Sequence, residues 1–269
     1  MVVFENVTKE DIEKLSHKGF HKESGKGLYE EARFIKNNVI LIYYSSKKLL
    51  LQGKKEDLEK VAVEIRKMKI GTEQKSEHFK REVGWVIGSD ESLKGDTFGG
   101  VVVAAVKADN KIRQELQSFG VADSKTLEDK EIILIAEKIK KIAPCEIQSL
   151  LPEQYNENGK ITLILNQLHK ECANYLGEGT HVVDKYPGCT VGDIREEKAE
   201  SKYIEVAAAS ILARAAALQQ MDHLSAQAGF TLPKGSTHVA DALKRVKEKG
   251  LDFRKFVKID FRNVREFLD

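Results

Sequence analysis

Thirteen residues, GSDESLKGDTFGG from Gly88 to Gly100, constrain the fold more than any other part of this 269-residue sequence. An apolar run from Val83 to Ile87 precedes them and another, Val101 to Val106, follows; both read as strands. The stretch therefore falls on the turn between two paired strands. It carries two adjacent carboxylates, Asp90 and Glu91, then a turn at Gly95 and a third acid, Asp96. Neighbouring strand residues point to opposite faces, so Asp90 and Glu91 are expected to serve one site only if the chain leaves the regular strand near Glu91. The Ser-Leu-Lys-Gly segment that follows suits such a departure.

Two domains are expected from the length: a small unit over residues 1–70, a polar linker over 71–82 and a larger body over 83–269. No apolar run approaches the roughly 18 residues a membrane span needs, so no membrane contact is expected. The amino terminus, MVVFENVTKEDIEK, has acids where a signal peptide has basic and apolar segments. Cys145, Cys172 and Cys189 are odd in number, widely spaced and free of any paired-Cys metal pattern, as reduced thiols of a cytoplasmic protein would be. Charge divides unevenly. Residues 1–81 hold 18 Lys and Arg against 13 Asp and Glu, and the rest holds 26 against 29. A basic front joined to a slightly acidic body suits a protein that grips a polyanion with one part and works on it with carboxylates of the other; an ordinarily solvated Lys/Glu surface would look the same.

In the front part, Thr8 is placed to cap a helix over 9–17, and three strand-like runs, YEEARFIK, VILIYYSS and LLLQG, are joined by tight connections. A second amphipathic helix spans Lys55 to Met68. In the body, Asp123-Ser124-Lys125 precedes a helix from Leu127 to Ile142, a strand runs from Cys145 to Leu151, and a helix from Ile161 to Leu176. His181 to Asp184 reads as a buried strand ending on an acid. The long helix from Ile204 to Ala226 clusters small residues at Ala207–Ala209, Ser210 and Ala213, which lets another element approach closely. A turn at Pro233 to Gly235, a helix from Val239 to Lys249 and a final VKIDF segment complete the chain.

Asp90 and Asp184 both stand at the C-terminal end of an apolar strand. Carboxylates converging there repel one another unless a cation lies among them, and hard oxygen ligands with open positions suit Mg²⁺ or Mn²⁺. Two such ions, about 3.5–4 Å apart, would stabilise both the attacking and leaving oxygens of a phosphodiester. Without a cation, the same acids would serve as turn caps. His169, His223 and His238 show no metal spacing and read as surface or core residues.

The strings GSDESLKGDTFGG, VADSKTL, VVD, KAESKYIEVAAASILAR and LPKGS, in this order, resemble the type 2 ribonucleases H, and specifically ribonuclease HIII. The resemblance covers residues 84–263. The front part is similar to the TATA-box-binding-protein-like domain that precedes the catalytic domain in that subfamily, with YYSSKKLLLQG matching best. It implies an α/β fold, a ribonuclease H-like mixed sheet flanked by helices behind a small α+β unit. It also implies metal-dependent hydrolysis of the RNA strand of an RNA/DNA hybrid, with Mg²⁺ or Mn²⁺, two ions when substrate is bound, leaving 5′-phosphate and 3′-hydroxyl ends. Asp90, Glu91 and Asp184 match the family's metal-holding carboxylates. Glu200 matches the fourth, which is Asp in ribonuclease HII. Glu there and the front unit favour HIII over an HII-type enzyme that nicks at single ribonucleotides, and the full set of acids argues against a non-catalytic binding module.

The resemblance further assigns detection of the ribose 2′-hydroxyl to the turn at Leu93, Lys94 and Gly95, and substrate contact to Ser124 and Lys125. Lys234 is similar to a further contact, with a simple turn as the alternative. Tyr44, Lys47 and Lys48, beside Tyr43, are candidates for stacking and phosphate contact on the front sheet, with a half-buried strand as the alternative. Three positions depart from the pattern. Leu93 stands where Gly is usual, so that its side chain either hinders a close backbone approach or the turn is adjusted. Gly100 replaces a usual Pro, and Asp260 a common His. No obligate protein partner is evident, and a monomer is expected.

Overall fold

Alternating apolar and polar residues build the sheet of the first of two units, Met1–Glu77 and His78–Asp269. The computed structural model describes residues 2–24, 30–74, 79–80, 84–118, 121 and 127–268. In the first unit the strands are β1 (Val2–Glu5), β2 (His21–Glu23), β3 (Glu30–Lys36), β4 (Val39–Tyr44), β5 (Leu49–Gln52) and β6 (Thr72–Gln74). They form one antiparallel sheet in the order β2-β3-β4-β5-β1-β6. Helix α1 (Lys9–Ser16) follows β1 and α2 (Lys55–Lys67) follows β5.

One parity of strand residues, Phe4, Phe34, Leu41, Tyr43, Leu49 and Leu51, packs against Ile12 and Leu15 of α1 and Leu58, Val61 and Ile65 of α2. Burying each such side chain contributes roughly 1.5–3 kcal/mol. Helix α1 starts as expected: Thr8 Oγ1 accepts from the Asp11 amide and the Asp11 carboxylate accepts from the Thr8 amide, both at 3.1 Å. On the opposite sheet face, register aligns Arg33, Ile42, Leu50 and Val3 in a row across four strands. The sheet takes in β6, which pairs with β1 and lies inside the stretch expected to be linker. Its three polar residues carry no alternation to read. The same holds for β2, an exposed edge strand.

The second unit is built on β7 (Val86–Ser92), β8 (Val101–Ala108), β9 (Cys145–Leu150), β10 (Thr180–Asp184) and β11 (Ile194–Glu196), in the order β11-β10-β7-β8-β9. The β11, β10 and β7 strands run parallel, whereas β8 and β9 are antiparallel additions. The helices are α3 (Asn110–Ser118), α4 (Asp129–Ile142), α5 (Pro152–Asn158), α6 (Ile161–Leu176), α7 (Ile204–Ala228) and α8 (Ala240–Glu248). Val101, Val103 and Ala105 face α6 through Leu165, Leu168 and Cys172. Val102, Ala104 and Val106 face α4 and α7 through Ile132, Ile139, Ile211 and Leu212. The result is a mixed sheet between two helical layers.

Helix α7 makes the close approach expected of it. Ala207, Ala208 and Ala209 are fully buried, and Gly88 on β7 meets the helix start so tightly that a Cβ would fall 2.3 Å from the Val206 nitrogen.

One expectation needs correction, and two helices are additional to those expected. Strand β7 does not end at Glu91: Glu91 pairs with Val103 and Ser92 with Val102, because β8 continues beside it after the pairing with β10 stops at Ser89. Helices α3 and α5 were not foreseen. The first is capped by Asp109, whose Oδ1 accepts from the Ile112 amide at 2.9 Å, and is tied down by the buried Arg113–Glu205 pair. The second, short and polar, has Pro152 in its first turn and a Leu151 amide bonded to Gln154 Oε1 at 2.9 Å. The final VKIDF segment contributes one isolated bridge, Phe98 to Val257. Among the described residues no helix is long and apolar enough to cross a membrane.

Candidate active site

Strand parity places the carboxylates. Val183 pairs with Ser89 across the parallel β10–β7 ladder, so Asp184 and Asp90 come one step further along, at the neighbouring C-terminal ends of two strands. Asp90 lies on the α7 side, where Ser210 favours its charged form, and its Oδ1 accepts from the Glu91 amide at 2.8 Å. Glu91 lies on the α6 side with His169. The two acids therefore reach the sheet end from opposite faces of an unbroken strand. Asp184 Oδ1 accepts from the Ala199 amide at 2.8 Å, which fixes the one-turn 3₁₀ segment Ala199–Ser201 carrying Glu200 beside it.

These groups feel one another. Burial, with the charges of Glu91 and Asp184, raises the Asp90 pKa well above the usual carboxylate value. Burial also raises Asp184, against the Ala199 amide, and Glu200 and Glu91 add to the rise. Glu91 goes the other way: burial opposes its ionisation, but His169 and Lys94 beside it outweigh it. Lys94 is ion-paired with Glu91 and also lowers Asp184, and its Nζ lies 5.5 Å from the centre of the Tyr186 ring.

Sequence reasoning missed what stands behind Glu91. His169 on α6 is fully buried; its Nε2 is 3.4 Å from Glu91 Oε2 and its Nδ1 is 2.7 Å from Ser89 Oγ. Ser89 Oγ also reaches His181 Nε2 at 2.8 Å. The His169 ring stacks on Tyr186 at 5.4 Å, and Tyr186 donates its hydroxyl to Asn166 Oδ1 at 3.0 Å. Burial, with His169 nearby, pushes His181 down to about 4, so it is neutral at neutral pH. The available signal was spacing: His169 shares a helix face with Leu165 and Cys172, a polar residue in an apolar stripe.

Leu93 has φ +65°, the left-handed conformation that glycine adopts without strain. Its side chain turns into the core, with Cδ1 3.0 Å from where a Cβ on Gly99 would be. The turn thus keeps a glycine-like backbone with leucine in it. Asp96 closes it, donating its amide to the Leu93 carbonyl at 3.1 Å. A Cβ at Gly100 would stand 2.0 Å from the Leu150 carbonyl oxygen, and the Gly100 amide donates to Gln220 Oε1 at 2.7 Å, so a proline does not fit this backbone. Lys234 pairs with Asp129 at the start of α4. Ser124 and Lys125 lie outside the described residues.

On the front unit, Tyr43 and Tyr44 point to opposite faces. Tyr43 is buried, its hydroxyl donating to the Val7 carbonyl at 3.2 Å, whereas half-buried Tyr44 lies on the face opposite the helices. Lys47 is exposed, and Lys48 lies 3.4 Å from Glu5.

The residues fit a hard divalent cation. As placed, no three His, Cys, Asp or Glu side chains among the described residues close around a common point. The donors are nonetheless carboxylate oxygens in mutual repulsion, and the Lys94 ammonium occupies the place at Glu91 where positive charge is demanded.

Residues 87–185 and 190–264 match the family described as Ribonuclease HII. The chain belongs to that family. Within the ribonuclease HII family it is most readily compared with proteins named ribonuclease HIII. That of Bacillus licheniformis is 37% identical over 210 residues, 67% of this chain and 66% of the relative. That of Bacillus pumilus is 34% identical over 83% of this chain and 84% of the relative. Such alignments span from about two thirds of a relative's length upward. Among solved structures, Bst-RNase HIII in complex with Mn²⁺ superposes with a TM-score of 0.63 at 25% identity, covering 99% of this chain and 97% of that one. Aquifex aeolicus RNase H3 gives 0.57 at 28% identity, with 97% and 100% covered. The ribonuclease H-like mixed sheet is thus shared, and the chain is a ribonuclease H-type hydrolase.

Proposed function

We propose that the chain is an endoribonuclease that hydrolyses the RNA strand of RNA/DNA hybrids, with Asp90, Glu91, Asp184 and Glu200 holding Mg²⁺ or Mn²⁺, two ions when substrate is bound. The observation that carries the reading is the placement of Asp90 and Asp184 side by side at the ends of β7 and β10, electrostatically coupled to Glu91 and Glu200. The Mn²⁺ complex of Bst-RNase HIII supports the choice of ion. When bound, such ions activate water and neutralise charge building up on the phosphodiester.

The protein's own groups do the rest. Ser210 and the Glu91 amide orient Asp90, the Ala199 amide orients Asp184, and His169 with Lys94 orients Glu91. Lys94 stands ready to exchange its carboxylate partner for a phosphate. The turn at Leu93, Lys94 and Gly95 brings backbone to the ribose 2′-hydroxyl, the group that distinguishes RNA from DNA. The front unit, in this reading a TATA-box-binding-protein-like domain, presents Tyr44 to the duplex on the sheet face opposite its helices, and Lys47 and Lys48 from the turn that follows. Ser124 and Lys125, which precede α4 in the sequence, contact substrate in this reading. Three free cysteines agree with a cytoplasmic location, and the chain acts as a monomer without an obligate protein partner.

The test uses two labelled duplexes, a full RNA/DNA hybrid and a DNA duplex with one ribonucleotide, each with Mg²⁺ or chelator. Cleavage of the hybrid that needs metal and is lost in Asp90→Asn is expected. Preferential nicking of the single-ribonucleotide duplex would instead indicate an HII-type activity, and binding without cleavage would indicate a non-catalytic module.

A further inference from the structure

A buried amine holds the turn that follows the paired acids. Lys258 is fully buried, and its Nζ donates to the carbonyl oxygens of Asp96, at 2.6 Å, and Gly99, at 2.9 Å. Both acceptors are neutral peptide groups. The Lys258 amide donates to the Thr97 carbonyl at 3.1 Å, so the lysine grips the segment from Asp96 to Gly99 with both its backbone and its side chain. Asp96 is the pivot: its amide closes the turn on Leu93, its carboxylate accepts from the Gly235 amide at 2.9 Å, and its carbonyl is held by Lys258. Neither the sequence pattern nor the proposed chemistry assigns this lysine a task.

Burying an ammonium among neutral carbonyls and the rings of Tyr155 and Phe261 is costly. Desolvation, only partly offset by Asp96 and Asp260, lowers its pKa to about 7. A methionine would fill the same volume without that cost. The amine is therefore kept for its N–H groups. Two carbonyls need two donors, which the neutral amine also supplies, so the grip survives loss of the charge.

We propose that Lys258 is a positioning and specificity-determining residue, which holds the Asp96 and Gly99 carbonyls so that the turn from Leu93 to Asp96 keeps the shape that recognises a ribose-containing strand. The inference rests on the proposed role of that turn and adds the residue that sets its shape.

The experiment measures binding, in EDTA and well below each variant's melting temperature, of a labelled RNA/DNA hybrid and of the DNA duplex of the same sequence. Wild type, Lys258→Met, Lys258→Gln and Ile139→Ala are compared; Ile139 is a fully buried core residue of α4 that makes none of these hydrogen bonds. Lys258→Met is expected to lose about tenfold in preference for the hybrid, the scale of one or two hydrogen bonds. Lys258→Gln, which retains a donor, is expected to fall between, and Ile139→Ala to keep the wild-type preference despite its lower stability. Should Lys258→Met fail to fold, Lys258→Gln against Ile139→Ala carries the comparison. Unchanged preference in the folded Lys258 variants overturns the proposal, as does an equal loss in Ile139→Ala. A wild type without preference for the hybrid overturns the reading of the turn itself.

Discussion

His169 Nε2 and Glu91 Oε2 stand 3.4 Å apart in a region closed to solvent, with the other ring nitrogen of His169 bonded to Ser89. Glu91 is therefore aimed by α6, an element distant in sequence from the strand that carries it. Removing the ring leaves the Glu91 carboxylate with Lys94 as its remaining named partner and leaves Ser89 facing a cavity. In His169→Ala, kcat/KM on an RNA/DNA hybrid is expected to fall by about 10- to 100-fold, the usual effect of removing a group that orients a metal-holding side chain. Steady-state cleavage assays with a hybrid check this, and a circular dichroism melt separates it from unfolding.

Gly88→Ala should be among the most damaging single changes in the second unit. The added methyl would meet backbone atoms of Val206 and Glu205 at 2.3 and 2.4 Å, and neither can move without shifting the start of α7. Urea unfolding is expected to show a loss of about 3 kcal/mol.

Leu93→Gly pits two effects against each other. Glycine relieves the left-handed strain, worth about 1–2 kcal/mol, but deletes a buried leucine whose removal usually costs about 2–5 kcal/mol. The net expectation is a stability loss of about 1–2 kcal/mol with hybrid cleavage retained, since the turn backbone is already glycine-like. A variant that gained stability would show that the leucine contributes little to the core.

Lys258 gives stability a pH dependence of definite sign. Its proton leaves the folded protein near pH 7 but stays on the unfolded chain until the ordinary lysine value of 10.5. Between these limits the unfolded chain binds more protons, so stability rises with pH, and below about 7 this contribution is flat. The groups facing the amine are Asp96, Asp260 and Tyr155, and Tyr155, raised by burial, stays neutral. The stability of wild type relative to Lys258→Met is expected to climb by up to about 2 kcal/mol from pH 7 to pH 9. Urea denaturation of both proteins across that range measures it.

Much of the second unit was legible because its elements carry strong periodicity. The α6 helix begins and ends where its apolar stripe and flanking residues place it, and α7 packs closely as expected, although Gly88 meets it at Glu205 and Val206, just ahead of the small-residue cluster. Elements without a stripe were not legible: polar β2 and β6 exist because neighbouring strands offer hydrogen-bonding edges, and α5 because Pro152 and Gln154 start it. At the site, acids at strand ends could be read, but the course of β7 could not. Whether a strand stops at Glu91 or continues to Ser92 depends on the partner beside it, β8, and not on its own residues. His169 is a core residue, one of the two readings its position offered, but its place beside Glu91 was not legible, because that partner lies 78 positions away in the chain, a separation no local pattern reports.

Gly100 limits how this enzyme can be re-engineered. Drawing its sequence toward the average of its relatives is a common way to make a hardier protein, and the resemblance that brings the family to mind would put proline here. In this chain that single exchange would strip the donor from Gln220 and force a ring into the Leu150 carbonyl. Gln220 in turn also bonds Ser149 and the same Leu150 carbonyl. The glycine, the glutamine and the end of the neighbouring strand have to be swapped together, as a single inherited block.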